Sequence, residues 1–202
     1  MILVLDYGMS NLRSVSKALE KLGSRVTVSN QASDIEKADK IVLPGVGAFG
    51  DAMKELETRQ LAEPLKSFMR SGRPFLGICL GLQLLFDSSD ETPGVRGLGV
   101  LPGKVSRFIP SVEFKVPHMG WNQLGIRKSG SDLLRGVNNG AFVYFVHSYY
   151  VIPQTPDIVL AECDYSSRFT AMIWKDNIYG CQFHPEKSQE TGLRILENFI
   201  NL

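Results

Sequence analysis

Along the first part of the chain, apolar residues fall into short unbroken runs separated by stretches of helical spacing. Met1 to Leu5 is apolar until Asp6, the pattern of a strand buried on both faces. Leu12, Val15, Leu19 and Leu22 share one face of a helix predicted over Asn11 to Leu22, with Gly23 as its stop. Arg25 to Val28 alternates as a second strand, and Ser33 is placed to cap a short helix beginning at Asp34. Ile41 to Leu43 is a third strand and runs into Pro44-Gly45-Val46-Gly47. Two helices are predicted over Phe49 to Glu57 and Leu61 to Met69, then a strand over Pro74 to Ile78 and a helix over Leu80 to Phe86. Strand and helix alternating in this rhythm predict a parallel, doubly wound sheet.

From Ser88 onward the pattern changes. Strands are predicted over Leu98 to Phe108, Lys115 to Ile126, Phe142 to Val151, Ile158 to Cys163, Phe169 to Trp174 and Ile178 to Phe183, with a hairpin turn at Asp176-Asn177. One short helix over Ser131 to Leu134 interrupts them, and an amphipathic helix over Gln189 to Leu202 closes the chain. The expected fold is a flavodoxin-like α/β domain spanning 1–202. Its open mixed sheet is mostly parallel and flanked by helices, with an extra antiparallel strand region.

Composition narrows the class. Of 202 residues, 44% are hydrophobic and 21% charged, and the formal net charge is +1, so neither a nucleic-acid partner nor a membrane surface is expected. Three cysteines, Cys79, Cys163 and Cys181, form no CxxC pair, which points to a reducing, cytoplasmic setting and away from a disulfide scaffold or zinc site. Asp6 interrupts the N-terminal apolar run, so no export signal is expected.

Gly77-Ile78-Cys79-Leu80-Gly81 is a nucleophile elbow with sulfur in place of oxygen. Small neighbours permit a sharp strand-to-helix turn, and the helix N-terminus favours the thiolate. A buried cysteine packed as a small hydrophobe fits the elbow alone equally well. His184 and Glu186, separated by Pro185, fall at the end of the last strand, at the same sheet edge, with an extended chain expected to place both on one face. A base and a carboxylate beside a cysteine are what nucleophilic catalysis needs. Gly45 and Gly47 follow another strand at that edge; they are either plain turn formers or donors of backbone N–H to an oxyanion.

Gly-Ile-Cys-Leu-Gly-x-Gln with a later Gln-Phe-His-Pro-Glu resembles the class I, triad-type glutamine amidotransferases. Within that class the chain resembles the family of glutaminase subunits of imidazole glycerol phosphate synthase. Four stretches carry the narrower resemblance: Asp6 to Leu12, Pro44 to Phe49, Pro117 to Asn122, and Phe145 to Tyr149 together with Phe183 to Ser188. Pro117-His118-Met119-Gly120-Trp121-Asn122 is the most specific of them, and sibling families lack it. Leu82 stands where Met is usual, a volume-conserving exchange.

The resemblance implies that Cys79 attacks the glutamine carboxamide, with His184 and Glu186 completing the triad and backbone at Gly47 and Leu80 holding the oxyanion. It places Gly45, Gln83, Glu91, His147, Ser148 and Tyr149 around the substrate. Read locally, Gln83 lies one helical turn past Cys79, and Glu91 is equally well a loop charge. The resemblance implies no cofactor and no metal; His118 and His147 lack an acid or cysteine at ligand spacing. His118 falls in the partner-facing stretch. It further implies a heterodimer with a cyclase subunit, a (β/α)8 barrel that uses the ammonia to make imidazole glycerol phosphate and AICAR in histidine biosynthesis. Asn11, Met119, Trp121 and Lys187 match the face that meets it, and the Pro44–Gly47 turn is expected to be misaligned until the cyclase binds its ligand. The competing readings are the glutaminase subunit of another synthase and a non-catalytic thiol sensor on the same scaffold.

Overall fold

The computed structural model describes residues 1–202. In chain order the elements are β1 (Ile2–Leu5), α1 (Leu12–Lys21), β2 (Val26–Ser29), α2 (Ala32–Lys37), β3 (Lys40–Gly45), α3 (Phe49–Thr58), α4 (Ala62–Arg70), β4 (Phe75–Cys79) and α5 (Leu80–Gln83). They continue with β5 (Ser88–Ser89), β6 (Gly103–Arg107), β7 (His118–Gln123), β8 (Gly125–Ile126), β9 (Phe142–His147) and β10 (Tyr149–Pro153). The last are β11 (Val159–Tyr165), β12 (Ser167–Lys175), β13 (Ile178–Cys181) and α6 (Gln189–Ile200).

The main sheet runs β2-β1-β3-β4-β13-β12-β11-β8. Its first five strands are mutually parallel, and β12, β11 and β8 extend it antiparallel. An apolar strand in such a sheet serves both faces. Leu3 and Leu5 of β1 join the core under α3 and α4, whereas Ile2 and Val4 join the core under α1 and α6. Two smaller sheets, β10-β6-β5 and β7-β9, complete the fold.

Several elements differ from the sequence expectation. Ser33 lies inside α2, whose N-cap position is Gln31. The helix expected to reach Phe86 ends at Gln83. The carbonyls of Leu84, Leu85 and Phe86 instead accept the amides of residues 98–101, which also removes the start of the strand expected from Leu98. The long strand expected over Phe142 to Val151 breaks at Ser148, because β9 pairs with β7 and β10 with β6. The strand expected over Lys115 to Ile126 begins at His118 and is interrupted at Leu124, where pairing passes from β9 to β11.

Register fixes where the site falls. Gly45 at the end of β3 lies opposite Cys79 at the end of β4, and Ile78 lies opposite Cys181 near the end of β13. Three adjacent parallel strands therefore stop at one level, and ligands of such sheets bind beyond these carboxyl ends.

Candidate active site

Cys79 sits between β4 and α5 with φ +55° and ψ −109°, a conformation that costs an L residue energy and persists only where its surroundings impose it. The flanking glycines impose it. A Cβ on Gly77 would come within 2.7 Å of the Gly81 carbonyl oxygen, and one on Gly81 within 1.8 Å of the Leu43 carbonyl oxygen. Only glycine at both positions allows the turn to close.

His184 follows β13, and its backbone amide donates to the Tyr144 carbonyl at 3.0 Å. Residues Pro185–Lys187 form a 3-10 turn, where the sequence suggested extended chain. That turn brings the Glu186 carboxylate to the imidazole, and Nδ1–H donates to Oε1 at 2.9 Å. Both side chains are buried. A carboxylate on Nδ1 leaves Nε2 as the reactive nitrogen, and Nε2 makes no hydrogen bond within the protein. Burial opposes a charge on His184, but the neighbouring Cys79 sulfur and Glu186 outweigh it and raise the pKa to about 10.

Cys79 and His184 share a cavity of about 380 Å³, within the usual range for a small-molecule site. Leu80, Gln83, Glu91, His147, Ser148 and Tyr149 line it, together with Val46 and Gly47. Among the expected residues, Gly45 does not line this cavity, and a Cβ at its position would run into the Tyr7 hydroxyl and Leu80. Gln83 is buried, so it is no solvated helix residue. The Glu91 carboxylate is fixed by the backbone N–H of Phe49, which it accepts at 2.7 Å at the N-terminus of α3.

His147 and His118 pair with each other at 3.0 Å. The Tyr149 carbonyl can only accept, so His147 Nδ1–H donates to it at 2.8 Å, and His118 Nδ1–H in turn donates to His147 Nε2. Burial lowers the pKa of His147 to about 3 and of His118 to about 4, so both are neutral. The sequence placed His118 on a partner-facing stretch, yet its ring turns inward and stacks on Phe145 and Tyr165. Alternation along β7 explains this: His118 is buried, and Met119 and Trp121 are exposed at 64% and 45%.

Two polar groups at the site escaped the sequence reading. The backbone N–H of Val46, between the two glycines, donates to the Met9 carbonyl at 2.9 Å. Gln182 is fully buried, with its amide on Gln83 and Cys79. A polar residue within the apolar run Ile178 to Phe183 was the available signal, since buried polar groups need partners.

A strained cysteine at a strand-to-helix turn, facing a cavity with a buried histidine and carboxylate, is the architecture of a triad amidohydrolase. Residues 3–202 match the family described as Glutamine amidotransferase class-I, and the chain belongs to that class. The fold recurs in the solved structure of PurLQS from Thermotoga maritima (TM-score 0.78, 20% identity, 99% of this chain and 97% of that one). It recurs also in a crystal structure of a glutamine amidotransferase (TM-score 0.75, 16% identity, 100% of each chain). The chain is 54% identical to imidazole glycerol phosphate synthase subunit HisH of Aquifex aeolicus, over 97% of this chain and 94% of the relative. It is 50% identical to the subunit of that name in Syntrophotalea carbinolica, over 98% of each. Within its class the chain is thus a member of the HisH family, which sets the sibling amidotransferases aside.

Proposed function

We propose that the chain hydrolyses glutamine to glutamate and ammonia as the glutaminase subunit of imidazole glycerol phosphate synthase. The observation that carries the reading is the convergence of Cys79, His184 and Glu186 on one cavity at the carboxyl edge of β4 and β13. The Cys79 thiolate attacks the carboxamide carbon of glutamine, and the tetrahedral oxyanion is met by backbone N–H groups at Leu80 and in the Val46–Gly47 turn. His184 Nε2 gives its proton to the departing ammonia, leaving a thioester on Cys79. His184 then takes a proton from water, whose oxygen attacks the thioester carbon; the C–S bond breaks and glutamate leaves. Glu186 holds the tautomer and stabilises the imidazolium throughout. Gln83, Glu91, His147, Ser148 and Tyr149 seat the amino acid, and Gly45 shapes the turn behind them.

The ammonia passes to a cyclase subunit with a (β/α)8 barrel, in a cytoplasmic heterodimer of which this chain supplies a single amidotransferase domain. Two apolar side chains, Met119 and Trp121, stand exposed on β7. Met119 pairs with Val146, which lines the cavity, and exposed Lys187 directly follows Glu186. Asn11 follows the loop whose Met9 carbonyl holds Val46. Exposed aromatic and methionine side chains beside a cavity mouth suit a partner that must receive ammonia without loss to water.

The Val46 N–H points to Met9 rather than to the nucleophile, which supports an oxyanion turn at rest in the free subunit. Rotation of the Gly45–Val46 peptide, cheap beside glycine, would aim that N–H at the cavity. An electrophilic glutamine analogue tests the chemistry: one equivalent should attach at Cys79, and attachment should fail in His184→Ala. A Cys79 that is oxidised by peroxide but ignores the analogue would instead identify a thiol sensor.

A further inference from the structure

Gln182 has no part in the triad, yet it is fully buried beside it. Its amide hydrogen bonds have a direction that can be deduced. The Tyr149 carbonyl only accepts, so the Gln83 atom 3.0 Å away is the amide nitrogen. That nitrogen has one hydrogen left, and it lies 3.1 Å from Gln182, whose facing atom must therefore be the oxygen, Oε1. Gln182 is thereby turned to present Nε2–H to the Cys79 sulfur at 3.7 Å. Neither amide can flip without setting acceptor against acceptor or donor against donor.

We infer that Gln182 is a positioning residue for the glutaminase reaction, donating a hydrogen bond that holds the Cys79 sulfur as a thiolate. A donor on the sulfur favours the charged form over the thiol, which accepts weakly. The other titratable groups around Cys79 include no fixed cation. His184 with Glu186 behind it, Tyr7 and Cys181 couple to the thiol, His147 and Glu91 line the cavity, and no lysine or arginine does so. His184 surrenders its proton to ammonia during the reaction, so Gln182 is the side-chain donor that stays on the sulfur throughout. The same bond steadies sulfur as the leaving group when the thioester hydrolyses.

The inference rests on Cys79 being the nucleophile, and alkylation reads it without requiring turnover. The rate of Cys79 carboxamidomethylation by iodoacetamide, followed by peptide mass across pH, is compared for the parent and Gln182→Met, which keeps volume but has no N–H. The acid limb is expected to move up by about one pH unit, roughly a tenfold loss of thiolate at a given pH on that limb. In the complex, kcat should fall about as far, while KM for glutamine moves less. A superposing alkylation profile in a cooperatively melting Gln182→Met protein overturns the inference. Gln182→Leu, neutral and without an N–H, decides if the methionine variant fails to fold: its limb should also rise, and an unmoved limb overturns the inference. A failed glutaminase reading looks different, with Cys79 alkylating normally and no glutamate released by any form.

Discussion

Gly45 stands opposite Cys79 in the parallel ladder of β3 and β4, so the Gly45–Gly47 turn and Cys79 leave their strands side by side. Their closeness is paid for in volume. A Cβ at Gly45 would lie 2.3 Å from the Tyr7 hydroxyl and 2.9 Å from Leu80 Cβ. Gly45→Ala should therefore destabilise the fold by about 1–3 kcal/mol, the usual cost of overpacking. Part of that loss should be recovered in Tyr7→Phe/Gly45→Ala, because the closest clash is with the hydroxyl. Urea unfolding of the two single variants and the double variant measures the coupling.

Tyr7→Phe alone should stabilise the chain. The hydroxyl is buried and has no hydrogen-bond partner, and burial raises its pKa further above the ordinary tyrosine value. Removing such a group recovers its desolvation penalty, about 1 kcal/mol or more. A higher urea midpoint with unchanged m-value is the expected result.

Glu186→Gln should lower kcat by on the order of 10²–10⁴, the range for losing the group that fixes a catalytic imidazole. Its cause is specific: Glu186 Oε1 accepts the Nδ1 proton at 2.9 Å, and an amide there no longer stabilises the imidazolium. The same variant should change pH dependence. With a folded pKa of about 10, the His184 contribution to stability is complete below about 6.5 and is lost as pH rises toward 10. Glu186→Gln should flatten that alkaline decline, measured as unfolding free energy between pH 6.5 and 10.

His118 and His147 act with the opposite sign. Burial holds them neutral in the fold, with pKa values of about 4 and about 3, so their contribution is present above about 6.5 and is lost as pH falls through those values. His118→Gln keeps a donor toward His147 while removing one titrating group. The slope of stability against pH between 6.5 and 4 should fall by about one proton.

Trp121→Ala should weaken the complex with the cyclase about tenfold or more, as for a buried aromatic anchor, and leave Cys79 alkylation in the free subunit unchanged. Trp121 is 45% exposed, and its ring meets Tyr144 edge-on, with centroids 5.9 Å apart. Titration calorimetry with the purified cyclase subunit provides the affinity.

The alternation of apolar strands with helices through Cys79 was legible because β1, β3 and β4 are buried along nearly their whole length and read as apolar runs, while the half-exposed β2 reads as an alternation. The clustering of Cys79, His184 and Glu186 was legible because their residue types and the turn glycines fit one local chemistry. What escaped was set by distant pairing. Nothing near Ser148 marks the break between β9 and β10, which arises because the two halves pair with β7 and β6. The inward turn of His118 follows from alternation along β7, but which face is inward depends on β9. Gln182 was visible only as a polar residue in an apolar run, since its partners Gln83 and Cys79 lie about a hundred residues away in the chain. The His184–Glu186 pair was anticipated, though through an extended chain rather than the 3-10 turn that forms it.

Glutamate release from glutamine tests the central claim most directly, measured for the chain alone and with a cyclase subunit and its nucleotide substrate, with Cys79→Ala as control. Slow release by the free chain, strong stimulation in the mixture, and no release by Cys79→Ala are the predicted results. Equal rates with and without the cyclase and its nucleotide would contradict the resting oxyanion turn. No glutamate from any form would contradict the glutaminase assignment itself.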